Sequence, residues 1–133
     1  MARMSTQGLD DVFRELARLG QQARPLAEKM LQAGAMEVAK GWRQAIDEAG
    51  LVKTGEMRAS VAPSKQIKTE GDALYVEIYP QGKDSRGVRN AEKAFINHYG
   101  SQRVKATRFV DKAEEYGESM AVPVMAEIWE RSK

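Results

Sequence analysis

The chain has 133 residues, of which 42% are hydrophobic and 30% charged, with no cysteine and a formal net charge of +2. That length fits one domain over residues 1–133. Disulfides and thiolate chemistry are excluded, and no apolar run approaches the roughly 20 residues of a membrane helix. The opening Met1-Ala2-Arg3-Met4-Ser5 is not followed by the apolar stretch of a signal peptide. Charge is unevenly distributed. Residues 1–81 carry eleven basic and eleven acidic side chains, residues 82–108 seven and two, and residues 109–133 three and six. A segment of balance +5 followed by one of −3 suits contact between subunits at least as well as contact with nucleic acid.

In chain order, the first expected element is a short amphipathic helix, with Leu9, Val12, Phe13, Leu16 and Leu19 on one face and Gly20 at its end. A long helix follows over about 22–49, with Pro25 in its first turn. Its stripe is Ala27, Leu31, Ala35, Val38, Trp42, Ala45 and Ala49, widened by Leu26, Met30 and Ile46. Gly34 and Gly41 lower its propensity by about 1 kcal/mol each unless they admit another backbone. Gly50 ends it. Thr54 is placed to cap one helical turn containing Glu56.

The period then changes to two. Leu74, Val76 and Ile78 alternate with Tyr75, Glu77 and Tyr79, which predicts a half-buried strand that Pro80 stops. A weaker strand over 61–69 precedes it, with Pro63 at a sheet edge and Glu70-Gly71-Asp72 as the hairpin turn. Residues 81–90 hold Gly82, Gly87 and little to bury, and are expected to form a mobile loop. Asn90 is the expected cap of a helix over 91–99, with Ala91, Ala94, Phe95 and His98 on its packed side and Gly100 at its end. Thr107 precedes a final helix over 108–131. Its expected stripe is Val110, Ala113, Gly117, Met120, Val124 and Ile128, beside Phe109, Ala121 and Met125, with a kink at Pro123. The expected fold is α+β: long N-terminal and C-terminal helices packed on a small, mainly antiparallel sheet.

No reactive constellation is visible. His98 is the one histidine, and it lacks the clustered ligands of a zinc site. The pairs Asp10-Asp11, Asp47-Glu48 and Glu114-Glu115 are adjacent on helices and do not face each other as an acid and base would. Gly82-Lys83-Asp84-Ser85 lacks the spacing of a phosphate-binding loop. Neither a cofactor nor a metal is expected. The candidate contact residues are Lys83, Arg86, Arg89, Arg103 and Lys105, either toward a neighbouring subunit or toward a phosphate backbone, with Tyr99 or Phe95 available for stacking in the second case.

Three stretches occur together: Lys53-Thr54-Gly55-Glu56-Met57-Arg58-Ala59-Ser60-Val61, Ala94-Phe95-Ile96-Asn97-His98-Tyr99-Gly100, and Lys105-Ala106-Thr107-Arg108-Phe109-Val110-Asp111-Lys112-Ala113. Their order and spacing resemble the small tail-component or neck proteins of long-tailed bacteriophages and prophages, described as head–tail connector, head–tail joining or tail-completion proteins. The resemblance spans about residues 8–130. It implies a structural, non-enzymatic protein that forms a homo-oligomeric ring between the portal side of the head and the tail tube. The implied partners are other neck and tail proteins, with no membrane and no small-molecule substrate. The implied location is the host bacterial cytoplasm during assembly and then the virion neck or tail. In that setting the 82–90 loop is expected to order against a neighbour. One departure stands out: the family pattern often has a proline before the phenylalanine that opens the last helix, and here that residue is Arg108. The alternative function is a nucleic-acid-binding accessory protein that uses the basic 82–108 segment.

Overall fold

The computed structural model describes residues 2–5, 23–71 and 73–132. The expected helix carrying Leu9 to Leu19 lies outside the described residues. The elements are β1 (Ala2–Ser5), α1 (Ala23–Glu48), α2 (Glu56–Ala59), β2 (Val61–Pro63), β3 (Lys68–Glu70), β4 (Ala73–Pro80), α3 (Asn90–Tyr99) and α4 (Phe109–Arg131). The architecture is α+β, with two long helices and a small antiparallel sheet.

The 3.6-residue period of α1 places Ala27, Met30, Leu31, Ala35, Val38, Trp42, Ala45 and Ile46 on one buried face. Its end is a Schellman turn: Gly50 takes a φ of 70°, its N–H reaches Asp47 O, and the Leu51 N–H reaches Ile46 O at 3.1 Å. Thr54 acts close to its expected role. Its Oγ1 accepts the Glu56 N–H at 3.3 Å, although Gly55, with a φ of 82°, directly precedes α2.

β4 is the spine of the sheet. It pairs with β1 on one side and with β2 and β3 on the other, all antiparallel. β1 was not foreseen: Ala2-Arg3-Met4-Ser5 alternates apolar and polar residues, but over four residues only, too short a run to stand out as a strand. Along β4, Val76, Ile78 and Pro80 are buried, while Tyr75, Glu77 and Tyr79 are partly exposed, which matches the expected alternation. The single strand expected over 61–69 is two. Pro63 cannot donate to a ladder, and beyond it Ser64 substitutes its side chain: its Oγ accepts the Glu77 N–H at 3.2 Å while its own N–H reaches Glu77 O at 2.7 Å. The chain bends there and rejoins β4 at Lys68.

α4 packs along α1. Its buried residues are Phe109, Ala113, Gly117, Ala121 and Met125, at a constant spacing of four. The stripe is therefore rotated from the expected one, and Met120 and Val124 sit at its margin. The rotation follows from the closest helix contact. A Cβ on Gly41 would lie 2.7 Å from Gly117 N, so only glycines at the crossing let the backbones approach this far. α4 continues through Pro123, which is exposed. The core joins α1, the sheet and α4, with the Trp42 and Phe109 rings edge to face at 5.8 Å.

Candidate functional site

The basic segment is built around α3, and its first part differs from the mobile loop that was expected. Residues 82–90 form a closed, hydrogen-bonded turn. Lys83 and Arg89 face each other as an antiparallel bridge, Asp84 N–H reaches Val88 O at 2.8 Å, and Asn90 N–H reaches Gly82 O at 2.9 Å. At the centre, one Asp84 oxygen accepts the N–H groups of Arg86 and Val88, both at 2.9 Å, and the other accepts Lys93 Nζ at 2.9 Å. Lys93, followed by the Val88 N–H, holds the Asp84 carboxyl below its ordinary pKa. A second clamp comes from α2, where Glu56 accepts the Ser85 N–H at 2.8 Å and its hydroxyl at 3.2 Å. That backbone bond, with help from Thr54, lowers the Glu56 pKa as well. The signal for this turn was present in the sequence. Asp84 and Gly87 stand at the first and fourth positions of a four-residue turn, where those residue types are favoured, and the Gly87 N–H does reach Asp84 O at 3.0 Å.

Asn90 does not cap α3, and Arg89 occupies the cap position without a side-chain bond. Asn90 is buried instead, and its Nδ2 donates to Gln81 O at 2.9 Å, which ties the loop's end to the strand exit. At the far end of α3, Gly100 has a φ of 83°, and a Cβ there would meet Ala106 N at 2.9 Å. The chain doubles back along the helix. Thr107 donates through both N–H and Oγ1 to Asn97 O, and the Arg108 N–H reaches His98 O at 3.1 Å. His98 is buried, and its Nδ1 accepts the Val110 N–H at 3.2 Å, so the imidazole satisfies a free donor in the first turn of α4. His98 lies on the packed side of α3, as expected from its place in the helix period. Arg108 has a φ of 56°, which proline cannot adopt, so the departure from the family pattern changes how the chain approaches α4.

The candidate contact residues fall into two groups. Lys83, Arg86 and Arg89 lie in the turn before α3, and Arg103 and Lys105 in the loop after it, so a helix of ten residues, roughly 15 Å long, separates them. All five are exposed, and no side-chain ion pair engages them among the described residues. Lys93 and Arg108 are committed elsewhere, to Asp84 and to Asp111 respectively. Between the two groups, Phe95 was expected in the core and is 62% exposed. It sits one turn from Tyr99, which is 57% exposed, with ring centroids 4.7 Å apart and the Arg108 guanidinium over the tyrosine at 5.6 Å. The period placed Phe95 beside Ala94 and His98, but α3 meets the body through a narrower face and leaves Phe95 outside.

An open cleft beside Lys53, Arg58, Lys93 and Asn97 has a volume of about 240 Å³, below the roughly 300–1,000 Å³ of ligand pockets. Arg58 in its wall is bound to Asp47 at 2.7 Å. Among the described residues no cluster of three or more His, Cys, Asp or Glu side chains could hold a metal, and no helix is long and apolar enough to cross a membrane.

No curated protein and no solved structure matches the chain. A protein family described as "Bacteriophage HK97-gp10, putative tail-component" matches residues 10–110. That range takes in the Thr54-Gly55 turn, the pinned basic loop, α3 with its aromatic pair, and the histidine-capped start of the last helix. The chain belongs to this HK97-gp10-like family of bacteriophage tail components.

Proposed function

We propose that the chain is a structural neck or tail-completion subunit, which repeats as a homo-oligomeric ring and joins the phage head to the tail through other neck and tail proteins. It would be made in the host cytoplasm and end in the virion neck or tail. Family membership sets the frame. The observation that carries the finer reading is that one molecule displays exposed groups of both signs. Lys83, Arg86, Arg89, Arg103 and Lys105 are exposed around α3, and Glu114, Glu115 and Glu118 are exposed on α4. A head-to-tail ring needs two different complementary patches on each copy.

The test replaces Arg86, Arg89, Arg103 and Lys105 together with alanine. The expected variant keeps the circular dichroism of the parent, fails to support head–tail joining in an in vitro complementation assay, and starts from a parent with little DNA affinity at physiological salt. The exposed Phe95–Tyr99 pair also suits stacking on nucleic-acid bases. Under that second reading, affinity falls steeply with salt and each lost phosphate contact lowers the slope by about one. Tight, sequence-independent DNA binding by the parent, with normal joining by the quadruple variant, would overturn the assembly reading.

A further inference from the structure

His98 joins the end of α3 to the start of α4, and its two ring nitrogens face different groups. The residue is 5% exposed. Its Nδ1 accepts the Val110 N–H at 3.2 Å, so Nδ1 carries no hydrogen and the ring's one proton sits on Nε2. Nε2 lies 4.0 Å from Asp111 Oδ1, beyond hydrogen-bond distance but within ion-pair distance of a charged ring. Other support for the first turn of α4 is slight. The cap residue Arg108 makes no side-chain bond to the helix, and Thr107 Oγ1 reaches only the Phe109 N–H, at 3.4 Å.

The ionisable groups around the ring come from both helices. Asp111 and Glu114 on α4, Arg108 just before it and Tyr99 on α3 line the same open cleft as His98. Asp111 Oδ2 already accepts the Arg108 guanidinium at 3.3 Å. On the core side the imidazole meets Phe109, which packs on Trp42 of α1, and neither carries a charge. A proton taken up from solvent would go to Nδ1, the ring's free lone pair. Nδ1 then no longer accepts, and two N–H groups face each other at the positive end of a helix dipole. The cationic Nε2–H gains instead a charge-assisted bond to Asp111, in competition with Arg108.

We infer that His98 is a two-position proton switch at the entry of α4: neutral, it caps the helix through Val110; charged, it leaves the cap and pairs with Asp111. The charged position loosens the first turn of α4 and releases Arg108 from Asp111. The segment 101–108, which carries Arg103 and Lys105, is anchored at that junction. Acid therefore acts on the hold of one of the two groups of candidate cations and leaves the turn before α3 to its own carboxylates. The switch stands independently of the ring reading.

His98 is the chain's one histidine, so its ring signals are unambiguous in a nitrogen-labelled full chain. The titration runs from about pH 8 to about pH 5, the span in which histidines ordinarily change charge. Ring nitrogen shifts report tautomer and charge, while amide exchange at Val110 is read as a protection factor against the intrinsic rate at each pH. The expected result is the Nε2–H tautomer at high pH. As the ring charges, Val110 is expected to lose protection by about tenfold or more while the α1 amides keep theirs. His98→Gln, which does not titrate, is expected to show Val110 protection that stays constant over the same span. Should that variant fail to fold, the titration of the parent decides alone. Val110 protection that holds steady while the ring charges would overturn the inference. So would a ring that stays neutral until α1 itself opens, an Nδ1–H tautomer at high pH, or the same acid loss at Val110 in a folded His98→Gln.

Discussion

Asp84 shows how one side chain organises a segment whose composition reads as mobile. Its two oxygens take three donors, two backbone N–H groups and Lys93 Nζ, so the turn is closed by polar bonds where no apolar burial is available. Asp84→Ala removes both acceptor oxygens and with them all three bonds, and amide exchange at Arg86 and Val88 is expected to accelerate by about tenfold or more, with global stability little changed. The pH dependence has a definite sign. The Asp84 and Glu56 pKa values are depressed in the folded chain, so their contribution is full above the ordinary carboxylate range and is lost as pH falls through the lowered folded values. The protection factors at Val88 and Ser85, measured against intrinsic exchange at each pH, should therefore fall in acid before the protection of α1 is lost. Arg108 supplies a second residue-scale outcome. Its φ of 56° lies outside what a pyrrolidine ring permits, so Arg108→Pro is expected to cost about 3 kcal/mol or more in urea unfolding. An unchanged midpoint would show that the chain can approach α4 by another path.

The helix pair α1–α4 is held by shape at one crossing. Gly41→Ala adds about 1 kcal/mol of helix propensity but places a methyl 2.7 Å from Gly117 N, and backbone cannot move aside as a side-chain tip can. The expected net effect is a loss of about 1–3 kcal/mol, measured by denaturant midpoint at constant slope. The two tryptophans give a paired measurement. Trp42 is fully buried and Trp129 only half-buried at the margin of the same core. Trp42→Ala is expected to cost about 3–5 kcal/mol, and Trp129→Ala clearly less. Equal small losses would contradict the packing described for α1. The periods of α1 and β4 were legible in the sequence, because burial of one face imposes a regular spacing of apolar residues. The α4 stripe was read one position off, since runs such as Val110-Phe109 and Met120-Ala121 fit either of two neighbouring faces. The crossing glycines chose between them.

The candidate surface comes from one stretch of chain around α3, residues 83–105, and its salt behaviour tests it as a unit. If the Phe95–Tyr99 pair and the cations act together between copies, self-association should weaken with salt but persist through the aromatic contact, whereas the Phe95→Ala, Tyr99→Ala double variant should lose it at every ionic strength. Sedimentation at low and high salt distinguishes the two. The sequence by itself determined the α+β class, the two long helices, the β4 strand with its hairpin, and the segregation of basic from acidic segments. Periodicity, turn residues and charge are local properties, read without knowing what packs against what. The sequence also carried the three motifs whose order resembles the phage tail-component family. Only the tertiary structure decided that Phe95 faces outward, that the 82–90 turn is pinned by Asp84 and Glu56, that His98 caps a helix twelve residues away, and that the candidate cations split between the two ends of α3. Each of these depends on which faces of separate elements meet, and that is fixed by the close approach of α1 and α4 and by the way the chain doubles back at Gly100.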